Sequence, residues 1–166
     1  YAVERLFGEA LALAPALKRR IEIVTKCGIA LVSPARPGHR VKHYRSDAAH
    51  LRASVERSLA ELGVDRLDVL LLHRPDPLLD ADEAAAALEA LVAEGKVGHV
   101  GVSNYTVEQM RLLEARLSIP LVTNQIELSV LHTEPLTSGV LDHLQARRAA
   151  PMIWSPLGGG RLFSSP

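Results

Sequence analysis

The sequence predicts an α/β fold with a parallel sheet of the (β/α)8 barrel type, the TIM barrel. Strand-like apolar segments alternate strictly with helix-like segments, which favours parallel strands joined by right-handed crossovers. Residues 69–72 form an unbroken apolar run, as expected of a strand covered by helices on both faces. No Gly-x-Gly-x-x-Gly motif follows an early strand, so the pattern argues against a Rossmann fold.

The spacing of apolar side chains and the capping residues place each element. The 3.6-residue period predicts helices over residues 2–14, 48–62, 81–94, 106–117 and 136–148. Asp47 and Thr106 suit the starts of two of these helices, and either Asp80 or Asp82 begins a third. Short apolar or β-branched runs predict strands over residues 21–25, 67–72, 96–102, 121–125 and 152–154. Residues 30–46, with Pro34, Pro37 and Gly38, are expected to form an irregular loop.

Composition excludes several classes of protein. The 166 residues fit one domain, and 48% of them are apolar, enough for a substantial core. Nineteen basic residues balance nineteen acidic ones, so neither nucleic acid nor an acidic membrane is an expected partner. No apolar run approaches the roughly 20 residues of a membrane span. Cys27 is the single cysteine, which fits a cytoplasmic protein without disulfides.

Polar side chains stand at the ends of all five predicted strands. In chain order they are Lys26, His73, Ser103, Asn104, Gln125 and Ser155. The carboxyl ends of the strands in an α/β barrel meet on one face, and barrel enzymes carry their active sites there. The sequence therefore predicts an active site at this face, with no metal ion expected in it.

Five segments in a fixed order resemble the aldo-keto reductase family. They are residues 23–26, 70–73, 101–105, 123–127 and 154–160. The forms Leu-His-Arg-Pro-Asp-Pro at 72–77 and Gly-Gly-Gly-Arg-Leu-Phe at 158–163 resemble a bacterial oxidoreductase branch of that family. The resemblance implies a single NADP-dependent domain that reduces a small-molecule carbonyl substrate. It gives no indication of the oligomeric state.

The same resemblance implies a catalytic tetrad of Asp, Tyr, Lys and His, with Lys26 as its lysine and His73 as its histidine. The chain then corresponds to barrel strands three to seven, and the tetrad Asp and Tyr lie outside it. Tyr1 stands too close to the segment at Glu4 to match the tetrad tyrosine, and we do not assign it that role. We therefore expect residues 1–166 to be an internal fragment that is inactive alone.

Carbonyl reduction explains why a lysine and a histidine are needed in the expected active site. A tyrosine with a pKa near 10 is a poor acid or base at neutral pH unless a nearby cation stabilises its anion, and the Lys26 ammonium would do so. A neutral His73 imidazole would donate a hydrogen bond to the substrate carbonyl and orient it. A solvent-facing lysine and a histidine bound to backbone remain the ordinary alternatives.

The remaining candidates are expected to bind NADP(H). Ser103, Asn104 and Gln125 offer donors and acceptors to the nicotinamide amide. Trp154 matches the ring that stacks on the nicotinamide in the family. The segment from Ser155 to Arg161 would meet the pyrophosphate through glycine backbone N–H groups and the arginine charge. Its assigned residues are Ser155, Leu157, Gly158, Gly159, Gly160 and Arg161.

Alternatives stay open at this point. Asn104 could instead cap the next helix, Trp154 could pack in the core, and the glycines could form a mobile linker. A reductase-like barrel could bind NADP(H) as a regulatory subunit without turnover. An unrelated barrel, such as an isomerase or lyase, could use Lys26 as a Schiff-base amine.

Overall fold

Five parallel strands form one sheet at the centre of the molecule. A computed structural model describes residues 2–33 and 37–164 of the chain. The strands lie in the order β1, β4, β5, β6, β7 and comprise Val24–Cys27, Leu67–Leu72, Val97–Ser103, Leu121–Glu127 and Met152–Trp154. Every neighbouring pair is parallel. The predicted alternation and the common direction of the strands are confirmed.

Within the described residues five α-helices accompany the sheet, and four of them connect strands that are neighbours in the sheet. They are α1 Ala2–Leu13, α2 Ala48–Leu62, α3 Ala81–Ala93, α4 Val107–Glu114 and α5 Val140–Ala146. The Asp47 side chain accepts the His50 N–H at the start of α2, and Thr106 with Gln109 forms a capping box at the start of α4. Asp80, not Asp82, caps α3 by accepting two backbone N–H groups.

Several boundaries differ from the sequence prediction. Strand β6 extends to Glu127, so Gln125 lies inside that strand, and α4 ends at Glu114 rather than near residue 117. Strand β1 begins at Val24 rather than at residue 21, because the Ile23 N–H donates to the Asp68 side chain at 2.8 Å and not to a backbone carbonyl of β4. The strand includes Lys26. The loop after β1 contains a small antiparallel pair, β2 Ile29–Ala30 and β3 His43–Tyr44. The helix predicted over 136–148 is a 3-10 turn, Glu134–Leu136, followed by α5, which begins only after Gly139 at φ 79°.

Close approach between strands requires glycine at position 101 of the sheet. A Cβ at Gly101 would lie 2.8 Å from the Thr123 carbonyl oxygen and 2.7 Å from Leu71 Cδ2. The β5–β6 register shifts between Val100 and Val102, at this same point. Only glycine fits there without moving strand β6, which carries Gln125 near its end.

Helix α1 is tied to the start of the sheet by one carboxylate. Glu4 Oε1 accepts hydrogen bonds from Thr25 Oγ1 at 2.6 Å and from Ser58 Oγ at 2.7 Å. These bonds join α1 to both β1 and α2, so the strand that carries Lys26 is held by two helices. Within residues 2–33 and 37–164, no helix is long and apolar enough to cross a membrane.

Candidate active site

The two predicted catalytic side chains stand at the ends of adjacent strands. In the parallel register Lys26 pairs with Leu71 and Cys27 with Leu72, so His73 follows directly beyond this pairing. The His73 backbone N–H donates to the Cys27 carbonyl at 2.8 Å, which extends the ladder by one residue. The sheet thus brings together Lys26 and His73, which are 47 positions apart in the sequence.

Burial and neighbouring charge keep His73 neutral. Its pKa is lowered to about 4, first by burial and then by the charges of Lys26, Arg74 and Lys42. Burial also lowers the pKa of Lys26. Neither side chain has a hydrogen-bond partner among the described residues, so both remain available to a ligand. A neutral imidazole beside an ammonium can donate a hydrogen bond to a carbonyl oxygen at neutral pH.

A chain of hydrogen bonds crosses the ends of the next three strands. The Trp154 indole N–H donates to Asn104 Oδ1 at 3.0 Å, and Asn104 Nδ2 donates to Ser103 Oγ at 2.8 Å. The Ser103 hydroxyl then donates to the Gln125 carbonyl at 3.0 Å. Asn104 itself has a positive φ of 58°, a conformation that asparagine tolerates better than most residues. The predicted residues from β5, β6 and β7 therefore form one connected group.

The network uses some of the polar atoms that the sequence assigned to cofactor binding and leaves others unbonded. Ser103 is 1% exposed, and its only O–H is already donated. Asn104 keeps its second amide N–H, and the Gln125 side chain has no bond to other described residues. Thr106, not Asn104, caps helix α4. Trp154 lies outside the buried core cluster. The geometry therefore leaves the Asn104 and Gln125 amides and the Trp154 ring as ligand-facing candidates, and makes Ser103 a support for Asn104.

Asn124 is an important residue that the sequence reasoning missed. Its side chain is fully buried, and its Nδ2 donates to the Tyr105 carbonyl at 2.8 Å while its Oδ1 accepts the Tyr105 N–H at 3.4 Å. It therefore holds the turn that follows Asn104. The signal was present, since an amide side chain inside an apolar strand must find buried partners. The neighbouring Gln125 attracted the functional assignment instead.

Tyr105 is not a candidate acid or base in this site. The residue is 3% exposed and belongs to the buried core cluster. Burial raises the pKa of its phenol above the usual range, which is the wrong direction for proton transfer at neutral pH. Tyr1, which we did not assign as the proton donor from the sequence, lies outside the described residues.

The glycine segment after β7 forms a tight turn. Gly158, Gly159 and Gly160 have φ values of 60°, 65° and 90°, within a 3-10 turn that spans Gly158–Phe163. A Cβ at Gly159 or Gly160 would meet no atom within 4 Å, so open space adjoins both. The turn uses two of the three amides, since Gly158 N–H donates to Ser155 and Gly160 N–H to Leu157. The Gly159 N–H makes no bond in the described part of the chain.

Three of the predicted pyrophosphate-binding residues, Arg161, Ser155 and Leu157, flank the glycine turn. Arg161 Nε donates to the Gly158 carbonyl at 3.0 Å, so one of its donors supports the turn itself. Ser155 has a positive φ of 51°, and the Leu157 side chain is about half exposed. Pyrophosphate binding by this segment stays a prediction. The open glycine backbone fits such a ligand.

A cleft of about 460 Å³ opens at the ends of β5, β6 and β7. Its walls include Arg74, Asn104, Glu127, His132, Glu134 and Trp154. The Arg74 guanidinium carbon lies over the Trp154 ring, 5.7 Å from the ring centroid. No group of three or more His, Cys, Asp or Glu side chains in the described residues is arranged to hold a metal ion.

A family model places this arrangement among known proteins. The Aldo/keto reductase family model matches residues 1–165. The chain belongs to the aldo-keto reductase family. The resemblance seen in the sequence is thereby confirmed, and the five-stranded sheet is part of the (β/α)8 barrel of this family.

Relatives of this aldo-keto reductase chain are found among bacterial oxidoreductases. It is 54% identical to the oxidoreductase YdhF of Escherichia coli (strain K12) over 164 residues, which are 99% of this chain and 54% of that protein. It is 53% identical to a 6-dehydroglucose reductase of Agrobacterium fabrum, again over 99% of this chain and 55% of the relative. The chain thus spans about half the length of these relatives.

Solved structures give the same fold. The glycerol dehydrogenase AKR11B4 from Gluconobacter oxydans superposes with a TM-score of 0.84 at 29% identity, over 95% of this chain and 46% of that one. The thermostable aldo-keto reductase Tm1743 superposes with a TM-score of 0.79 at 25% identity, over 98% of this chain and 53% of the other. The predicted barrel fold is therefore confirmed for the aldo-keto reductase chain.

Proposed function

We propose that the full-length protein containing this chain is an NADPH-dependent reductase that converts aldehydes or ketones to alcohols. One observation carries the proposal most directly. A neutral His73 and the Lys26 cation lie at adjoining strand ends, and the Trp154–Asn104–Ser103 network continues across the strands of the same sheet. This arrangement supplies a carbonyl-binding donor, a cation and a ring platform on one face.

Each catalytic side chain has a task that its surroundings support. His73 donates an N–H to the carbonyl oxygen, orients the substrate, and stabilises the negative charge that develops on that oxygen. Because its pKa is about 4, it stays neutral at pH 7 and keeps one ring nitrogen without a proton. Lys26 stabilises the anion of a tyrosine proton donor through its charge, and partial burial strengthens that interaction.

The remaining polar groups fit a nicotinamide cofactor. NADPH, when bound, supplies the hydride for the carbonyl carbon. The amides of Asn104 and Gln125 would hold its carboxamide, and the Trp154 ring would lie against its nicotinamide. The Gly159 N–H, beside open space, would meet its pyrophosphate. The donors left unused by the internal network match the groups that such a ligand needs.

Binding and turnover on the full-length protein test the proposal. We expect NADPH to bind in a calorimetric titration and to be oxidised when a small aldehyde or diketone is added. Trp154 is the only tryptophan of this chain, so NADPH should quench a part of the fluorescence that is lost in a Trp154→Phe variant. Absence of NADPH binding would refute the proposal.

Two results would favour other functions. Tight NADPH binding without turnover of any carbonyl compound would favour a regulatory subunit. Trapping of substrate on Lys26 by borohydride would favour Schiff-base chemistry. The calorimetric titration, repeated with NADH, compares the affinities for the two cofactors, and we expect tighter binding of NADPH. Cytoplasmic location stays a prediction.

A further inference from the structure

Arg74 holds an unusual position over the ends of the strands. It follows His73 directly, yet its guanidinium carbon lies 5.7 Å from the centre of the Trp154 ring on strand β7. Strands β5 and β6 separate β4 from β7 in the sheet. The side chain therefore reaches across the face that carries Asn104, instead of pointing away from it. It lines the cleft together with Asn104 and Trp154.

The charge of Arg74 is not compensated within the described part of the chain. Its guanidinium makes no hydrogen bond or ion pair there, although Glu127 and Glu134 line the same cleft. Arg52 and Arg66, by comparison, each pair with a carboxylate at 2.6 Å and 3.2 Å. An arginine remains charged at any ordinary pH and presents five N–H donors in a rigid plane. None of these donors is used within the described part of the chain, so they are available to a ligand.

Other cations reinforce the charge near the carbonyl-binding histidine. Lys26, Arg74 and Lys42 all act on His73 with positive charge, and no carboxylate is among the groups that shift its pKa. Lys42 comes from the loop between β2 and β3. The charged groups that act on His73 are thus all cationic, which favours a ligand of negative charge beside it.

We propose that Arg74 determines substrate specificity by binding a carboxylate or phosphate group of the carbonyl substrate. Two parallel N–H donors of the guanidinium would meet two oxygens of the anion, and the cation–π contact with the Trp154 ring would help to position the guanidinium. The preferred substrates are then aldehydes or ketones that carry an anionic group near the carbonyl. This inference rests on the proposed reductase function and adds the class of substrate to it.

Matched pairs of aldehydes test the proposal in the full-length protein. The first pair is para-carboxybenzaldehyde and para-methylbenzaldehyde, and the second is glycolaldehyde phosphate and glycolaldehyde. Wild-type protein should prefer the anionic member of at least one pair, and the pair that responds identifies carboxylate or phosphate. Arg74→Gln should lower kcat/KM for that anionic member about 10- to 100-fold, as loss of a charged hydrogen bond predicts, and change it little for the neutral one. Arg74→Lys should restore part of the loss.

Arg66→Gln is the matched control. It removes the same charge near the opposite end of strand β4, where Arg66 pairs with Asp68. It should leave the ratio between anionic and neutral aldehydes unchanged. Thermal unfolding of all three variants shows whether a loss reflects folding instead.

The outcomes separate this inference from the proposed function. An unchanged ratio in Arg74→Gln overturns the specificity role. An equal loss for both aldehydes, with weaker NADPH binding, would show that Arg74 serves the cofactor and would also overturn it. If the wild-type protein turns over no aldehyde, the reductase proposal fails. Calorimetric binding of para-carboxybenzyl alcohol to wild-type protein and Arg74→Gln then still tests Arg74, and equal affinities would refute its role.

Discussion

The polar side chains at the ends of β1 and β4 differ from those at the ends of β5 to β7 in whether they form hydrogen bonds. At the ends of β1 and β4, the side chains of Lys26, His73 and Arg74 make no hydrogen bonds within the described part of the chain. At the ends of β5 to β7, Ser103, Asn104 and Trp154 are joined to one another and to the backbone. The first half consists of polar side chains without hydrogen bonds in the described chain, and the second of side chains whose hydrogen bonds are made within the network.

This difference indicates that the first half interacts with a ligand and that the second half maintains the geometry of the site. Unpaired polar groups at partial burial reduce stability, so they persist where a ligand or a reacting group completes them. A satisfied network holds its side chains in one geometry before any ligand arrives. Substitutions in the first half should therefore affect activity with little effect on stability. Substitutions that loosen the second half should lower stability.

The largest effect is expected from Lys26→Met in the full-length protein. Turnover should fall by at least roughly 100-fold, the usual contribution of acid–base assistance, while NADPH binding and the midpoint of thermal unfolding stay near wild type. Steady-state NADPH oxidation and a calorimetric titration measure the two parts. Lys18→Met is the control, since among the described residues Lys18 Nζ bonds only to the Gly63 carbonyl, at 2.7 Å. Wild-type turnover in Lys26→Met would show that the assignment is wrong.

Substitutions at two neighbouring residues of β6, Asn124 and Thr123, test the hydrogen-bonded half of the strand-end face. Asn124→Ala removes the amide that satisfies the Tyr105 N–H and carbonyl, so the free energy of unfolding should fall by about 2 kcal/mol. Thr123→Val is the contrast, because the buried Thr123 hydroxyl has no partner in the described residues. Its replacement should be neutral or stabilise by up to about 1 kcal/mol. Urea unfolding followed by circular dichroism measures both. Equal destabilisation by the two changes would contradict the comparison.

The smallest effect concerns the pH dependence that His73 introduces. Its pKa of about 4 in the folded protein lies below the ordinary 6.5, so between these values the unfolded chain binds a proton that the folded protein does not. Stability contributed through His73 is therefore complete above pH 6.5 and declines as the pH falls towards 4. An NMR titration of the ring protons should show His73 neutral at about pH 6, below its ordinary pKa.

Two variants test whether His73 causes this pH dependence and whether Arg74 lowers the pKa of His73. His73→Gln should reduce the slope of stability against pH in the same interval, because it removes the titrating group. Arg74→Gln should raise the pKa of His73 towards its ordinary value, because it removes one of the charges that lower it. A pKa of His73 near 6.5 in the wild-type protein would contradict the neutral imidazole on which the proposed chemistry depends.

Local patterns in the sequence determined the alternation of helices and strands, the caps at Asp47 and Thr106, and the polar residues at the strand ends. These features depend on neighbours within one or two turns of chain, so periodicity and residue type reveal them. Five segments in a fixed order, which carry Lys26, His73, Asn104, Gln125 and Trp154, also sufficed to identify the family. The helix predicted over 136–148 was only partly right, because a break at Gly139 separates its two pieces.

Only the tertiary structure decided how the polar groups are paired. The bond between Trp154 and Asn104 joins residues 50 positions apart, and the bond between Ser103 and Gln125 joins residues 22 apart. Such contacts follow from strand order and register, which no local pattern encodes. For the same reason the sequence did not show that Asn124 faces the core beside Gln125, or that Arg74 crosses the strand ends to Trp154. A side chain's role depends on which distant partner satisfies it, and packing of the whole sheet settles that.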